Sequence, residues 1–413
     1  MKIFKAFTLS IIMLLAIPVC AENGMNSPYT RFGFGQLSAA ETGTNKGMGG
    51  TGIGVHHNNQ INMLNPASYA AVDTLTFLLD VGMSLSNTNL SEGDVKMNAR
   101  SSTFDYIAMQ FRLKPRLGFT LGMTPFSNIG YNFSEKKSVY NDEEGEVTAT
   151  NTYYGNGGLR QITAGLGYSP FKGFFIGANL SGVYGEIYHY VYNQYSDDNV
   201  SPRTRQYIAE ISTYDIDLGL QYQISFGKGE FTLGATYRPG HLIDDEVSIV
   251  ETLSAGESRD CAQLSIPTKY GAGLSYVYDK RLTIAADYSM EQYSAVNFFG
   301  TKGMDRHRAS AGIEYIPEHI TRSLLRRAHY RAGVHYATAH YTINGQQGPT
   351  EYGATIGIGL PIMNRWNGKS IINISGQYVH TRPNAPGMIT ENSFRLNIGL
   401  SFNETWFDKW KLK

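Results

Sequence analysis

The sequence predicts an all-β fold, a transmembrane antiparallel β-barrel of about fourteen strands with an N-terminal segment in its lumen. Three observations carry this reading. Leu75, Phe77, Leu79, Val81, Met83 and Leu85 alternate with Thr76, Leu78, Asp80, Gly82 and Ser84, and the same period of two recurs up to Phe402. The chain opens on an export signal. After it, no run of about eighteen apolar residues occurs, which excludes helical membrane spans. Long strands that are greasy on one face and polar or tiny on the other suit a wall whose apolar face meets lipid.

Met1 to Ala21 reads as the signal peptide. Lys2 and Lys5 give the positive start, Leu9 to Ile17 the apolar stretch, and Val19-Cys20-Ala21 the small residues for cleavage. Pro18-Val19 lacks the small residue expected beside a lipidated cysteine. Cleavage after Ala21 leaves Cys261 alone, so no internal disulfide forms. Residues 22–74 do not alternate and are rich in glycine and small side chains. Fourteen strands enclose a space too wide for side chains alone to fill, so this stretch is expected to fold back as a plug. Residues 75–413 form the expected barrel.

The alternating segments run from Leu75–Ser86 to Asn392–Phe402. Connections after the second, fourth, sixth and eighth are tight. Those after the first, third, fifth, seventh and ninth are long, the longest being Pro125–Leu159. Short periplasmic turns and long extracellular loops place both barrel ends in the periplasm, which requires an even strand number. Trp366, Trp406 and Trp410 then all fall on the periplasmic side, at the boundary tryptophan favours. The turn Pro317–Arg327 sets Ile320, Leu324 and Leu325 against Arg322, Arg326 and Arg327. That spacing suits either a short amphipathic helix on the inner leaflet or a solvated basic turn.

Composition agrees with this picture. Mean hydropathy is −0.27, because half of every barrel strand faces a polar interior. The 45 glycines and 28 tyrosines fit close wall contacts and interfacial belts. The 35 basic and 35 acidic residues balance, which argues against a nucleic-acid partner.

Within residues 22–74, Gly47-Met48-Gly49-Gly50-Thr51-Gly52-Ile53-Gly54 is followed by Asn65-Pro66-Ala67. This order, ahead of a first strand, resembles the hatch of the FadL/TodX (OmpP1) family of outer-membrane transporters for hydrophobic compounds, in particular members from the Bacteroidota. Asn403 to Lys411 is similar to the same members. The resemblance implies fourteen strands, a hatch motif of Gly47, Gly49, Gly50, Gly52, Asn65, Pro66 and Ala67, and passive uptake. It also implies a lateral exit at a kinked third strand, for which Pro125 and Gly130 are the counterparts. Some relatives serve protein secretion instead. The glycine run follows no strand and opens no helix, which disfavours a nucleotide loop.

Other groups point to structure rather than chemistry. Adjacent His56 and His57 diverge and make a poor metal pair. Asp142, Glu143, Glu144 and Glu146, and Asp244, Asp245 and Glu246, form solvated acidic loops, with calcium the alternative. Asp305, His307 and Ser310 are close in sequence, but His307 and Ser310 face opposite ways on one strand, so they share no proton. No catalytic residue, cofactor or metal ligand is assigned. The lumen is expected to receive Asp80, Asp105, Asp215, Asp217, Gln221, Asp287, Arg306, Arg308, Glu314, Arg331, His335 and Glu351, paired with one another and with the plug. Among these, Gln221→Asn is expected to be mild.

The expected location is the outer membrane of a Gram-negative bacterium. Expected partners are membrane lipid, lipopolysaccharide, and either a hydrophobic small molecule or a partner protein. An apolar pocket beneath the loops favours uptake of a fatty-acid or aromatic-hydrocarbon type of molecule. A plug with no pocket, together with conspicuous aromatic loops, favours a non-transporting accessory or shuttle barrel of a secretion or outer-membrane assembly complex.

Overall fold

The computed structural model describes residues 26–74, 76–141, 145–197, 200–253, 256–298, 301–319, 321–362 and 370–405. The signal segment, all three tryptophans and Asp142 to Glu144 lie outside these residues, as do the side chains of Asp244 to Glu246 and Glu146.

Fourteen wall strands close into one antiparallel barrel. They are β1 (Thr76–Glu92), β2 (Val95–Lys114), β3 (Leu117–Pro125, resuming as Ser127–Asn141), β4 (Gly145–Phe171) and β5 (Phe174–Tyr195). Then come β6 (Arg203–Phe226), β7 (Gly229–Arg238 and His241–Leu253), β8 (Gly256–Ile266 and Lys269–Tyr278) and β9 (Leu282–Glu291). The last five are β10 (Arg306–Tyr315), β11 (His329–Ala337), β12 (Thr350–Ile362), β13 (Ser370–Arg382) and β14 (Thr390–Thr405). Thr76 pairs with Thr405 and Ser91 with Thr390, so β1 joins β14 and the wall closes. Each of the fourteen alternating segments of the sequence has its wall strand, although the eleventh, expected over Ala328–Tyr341, stops at Ala337.

The outer face reads as a membrane belt. On β5, Ile176 and Leu180 are exposed between Phe174 at one end and Tyr184 at the other. Ten residues of tilted strand span roughly 25 Å, the height of an apolar band. Exposed Tyr214, Tyr270, Tyr288, Tyr352 and Tyr378 continue the upper aromatic rim, and Tyr168, Tyr222, Tyr278, Tyr315 and Tyr330 the lower one. The lower turns are short. Between the paired Tyr278 and Leu282 only three residues connect: Asp279 and Lys280 both have positive φ (51° and 56°), and Arg281 N donates back to Tyr278 O at 3.0 Å.

The expectation of long loops is corrected in three places, first after β1, where Glu92 pairs with Val95 and only Gly93 and Asp94 connect. Pro125–Leu159 is not a loop: Ser127–Asn141 pairs with Gly145–Gly157 as a hairpin standing above the belt. His241–Leu253 and Gly256–Ile266 do the same. Proline is tolerated at position 125 because β3 has no wall neighbour there on its β2 side. The β2–β3 ladder ends at Ile107↔Met123.

Candidate functional site

The N-terminal segment lies against inward-facing residues of the wall. Gly49 has φ +71°, and a Cβ there would sit 2.8 Å from the Val334 backbone. A Cβ on Gly333 would in turn lie 2.3 Å from Gly49 N. Two glycines thus let two backbones touch where any side chain would hold them apart. Polar ties follow at once. Gly49 N donates to Thr355 Oγ1 (3.0 Å), and Gly52 N and Ile53 N donate to Asp287 Oδ2 (2.6 and 2.8 Å). Ser275 Oγ donates to Gly54 O (2.7 Å). Gly47 packs on the Arg331 stem, and Gly50 fits between Arg308 and Glu41.

Asn65 caps the short 3-10 helix Pro66–Ala71, its Oδ1 accepting from Ala67 N at 3.0 Å. Its Nδ2 donates to Ile53 O (2.8 Å) and to Leu220 O of β6 (3.2 Å). Pro66 wedges between Gly177 and Gly219, and Ala67 is fully buried. The seven motif residues therefore form one contact surface around the inner wall. On the segment, Glu41 pairs with Arg308 (2.5 Å) and Lys46 with Asp105 (2.6 Å). Burial pushes the Glu41 carboxyl up, but Arg308 and Lys46 outweigh it and hold it below the usual range. Within the wall, Arg331 bonds Glu314 (2.6 Å) and Arg238 bonds Asp215 (3.1 Å).

His56 Nδ1 meets Gln221 Oε1 at 2.8 Å, and Gln221 Nε2 donates to Ile53 O and Val55 O (3.0 and 3.1 Å). Among the described residues no group of three His, Cys, Asp or Glu is placed to hold a metal. Ser310 is buried, whereas the His307 ring meets the exposed Tyr288 hydroxyl (2.8 Å), so these two residues do face opposite sides.

Pro125 and Gly130 flank a break in the wall. Above Met123, β3 leaves β2, and residues 95–106 pair with β1 alone among the described residues. The N-terminal segment follows β3 instead. Gln36 and Leu37 pair with Asn128 and Ser127, and Ser27 N donates to Gly130 O (3.0 Å). Behind the break lies a cavity of about 230 Å³ whose lining includes Lys46, Ser84, Asp105, Arg308, Glu351 and Arg395. A deeper one of about 110 Å³ meets Asp217, Arg238, Lys269, Asp287 and Glu291. Both are polar.

The mouth is different. A cavity of about 420 Å³ beneath the extracellular hairpins is walled by Phe32, Phe34, Tyr131, Tyr293, Phe298 and Tyr341. It adjoins an apolar core in which Phe34 packs with Phe126, Ile129, Leu159, Ile187, Ile243 and Ile266. Arg31 stands 3.9 Å over the Tyr153 ring beside it. Sequence reasoning singled out none of these aromatics for a role. The one local signal is Arg31-Phe32-Gly33-Phe34-Gly35, which sets two rings on a glycine-flexible stretch.

The BamG family model matches residues 3–413. The chain belongs to the BamG family. In fold it is similar to a monoaromatic hydrocarbon channel, CymD, at 15% identity and TM-score 0.60, over 91% of this chain and 100% of that one. The toluene transporter TbuX of Ralstonia pickettii gives 14%, 0.55, 87% and 97%. A FadL homologue of Pseudomonas aeruginosa gives 12%, 0.57, 90% and 100%. No curated protein matches by sequence. The FadL/TodX resemblance thus holds at the level of fold. This BamG-family chain is an outer-membrane barrel whose structural neighbours are channels rather than enzymes.

Proposed function

We propose that this barrel captures a hydrophobic small molecule at its extracellular mouth and passes it inward without an energy source. The aromatic cavity of about 420 Å³ supports this reading most directly. It has the size and lining of a small-molecule site, and it opens towards the extracellular side. In this proposal residues 22–74 act as a hatch, and the wall break beside Pro125 and Gly130 is the exit. Native mass spectrometry of the purified barrel should find a co-purified apolar ligand. Phe34→Ala and Phe298→Ala together should release it. A wild-type barrel that carries no ligand and takes up none would overturn the proposal.

A second reading has its own support. Family membership over nearly the whole chain points to an accessory barrel of a secretion or outer-membrane assembly complex. So does the polar, ion-paired lumen below the mouth, which offers an apolar molecule no greasy path onward. Gentle affinity purification from native membranes decides between them. A stoichiometric partner chain with no bound ligand favours docking, and ligand with no partner favours uptake.

A further inference from the structure

The periplasmic turn between β10 and β11 is neither part of the lumen nor of the mouth. Leu324–Arg327 forms one helical turn, with Leu324 45% and Leu325 63% exposed. The turn is tied to the lower aromatic rim: Tyr330 Oη donates to Leu325 O at 3.0 Å, and Tyr330 and Tyr315 are themselves exposed on the lipid face. The two leucines therefore extend the surface that meets acyl chains. Three arginines surround them. Arg326 pairs with Glu318 (3.3 Å), while Arg322 and Arg327 carry no ion pair among the described residues. Arg327 Nε is buried from solvent without a hydrogen-bond partner.

Charge on this rim is one-sided. The tight turns preceding it carry Lys114, Arg116, Lys172, Lys228, Lys280 and Arg281 against a single acid, Asp279. Basic groups set at headgroup height beside an apolar anchor recognise a lipid phosphate that still offers negative charge. A lone basic turn in water would gain nothing from two exposed leucines. An acidic protein partner would match the arginines but would leave unexplained the continuity of the leucines with the lipid belt.

We propose that Leu324–Leu325 with Arg322 and Arg327 forms a binding site for an anionic phospholipid of the inner leaflet. The leucines seat the acyl chains beside Tyr330, and the guanidiniums hold the phosphate. The site is independent of the mouth and of either reading of its function.

The test uses the full chain, purified in neutral detergent. Phosphatidylglycerol and phosphatidylcholine with identical chains are titrated separately, and bound lipid is counted by native mass spectrometry. The wild type should retain phosphatidylglycerol preferentially. Arg322→Gln with Arg327→Gln should weaken that preference by roughly thirtyfold, near the limit for two unpaired arginines. Leu324→Ser with Leu325→Ser should weaken retention of both lipids. Heat-modifiable mobility on gels checks that each variant is a folded barrel. Millimolar inorganic phosphate should not displace the lipid; if it does, the site is a free-anion site and the proposal fails. Equal retention of the two lipids by the wild type, or unchanged retention in the arginine variant, also overturns it.

Discussion

Asp287 on β9 offers the sharpest test of how the N-terminal segment is held. One carboxylate oxygen accepts from Gly52 N and Ile53 N at 2.6 and 2.8 Å, and the residue is nine-tenths buried. Hydrogen bonds to a charged acceptor contribute roughly 1.5–3 kcal/mol each, against about 1 for neutral ones. In Asp287→Asn the amide oxygen can still accept both, so the loss is about 2 kcal/mol, a roughly thirtyfold rise in the undocked population. In Asp287→Ala two amides lose their acceptor, and the loss grows to about 3–5 kcal/mol. Single-channel recording in planar bilayers reads the undocked state as open events. The expected order is wild type closed, Asp287→Asn opening occasionally, Asp287→Ala opening often, with each variant first shown to be folded. If Asp287→Ala stays as closed as the wild type, the glycine contacts hold the segment unaided and the carboxylate is no latch.

Further outcomes follow from the same geometry. Ile356, the most exposed large apolar residue of the belt at 76%, should not tolerate charge: Ile356→Arg should cost about 2–4 kcal/mol in lipid refolding titrations, and a value near zero would place it off the membrane. Pro66→Gly removes the ring packed on Gly219 and frees the helix start, so leak should rise while the amount of barrel in the membrane, read by immunoblot, stays level. Burial pushes the His56 imidazole down from 6.5 to about 4. The docked segment favours the neutral ring and the released segment takes the proton first, so docking should be intact above about pH 6.5 and weaken towards pH 4. Conductance at pH 7 and pH 4.5 reads this, and His56→Gln should flatten the difference.

The fourteen strands are legible because each has one face in lipid and one in a polar lumen, which gives the period of two its contrast. That contrast fades above the belt. On Ser127–Asn141 and Gly145–Gly157 both faces carry tyrosine, threonine and asparagine, so the hairpin reads as loop and Pro125 reads as its start. The lumen list is legible too: Asp80, Asp215, Gln221 and Arg331 are all buried inward. Their partners are not, because alternation gives a direction and no distance. Gln221 shows the difference. Taken alone it is a polar residue facing water, and Gln221→Asn looks mild. In the structure it ties Ile53, Val55 and His56 at once, so a side chain one carbon shorter gives up a three-way contact. The aromatic mouth escapes the sequence for another reason. Phe34, Tyr131, Tyr293 and Phe298 come from separate stretches that only the closed barrel brings together.

The break between β2 and β3 has a mechanical meaning. Below Met123 the wall is a closed hoop, and on β2 the stretch from Ile107 to Phe111 is gripped from two sides. Above it the hoop becomes a split collar, and Val95 to Tyr106 are gripped from one side only. A hoop resists spreading through every joint at once, whereas a collar spreads by bending. The lower rim should therefore keep its circumference while the upper rim breathes. Along the single strand β2, amide exchange should be slow from Ile107 to Phe111 and fast from Val95 to Tyr106, so that one strand carries the boundary between the stiff and the compliant halves of the barrel.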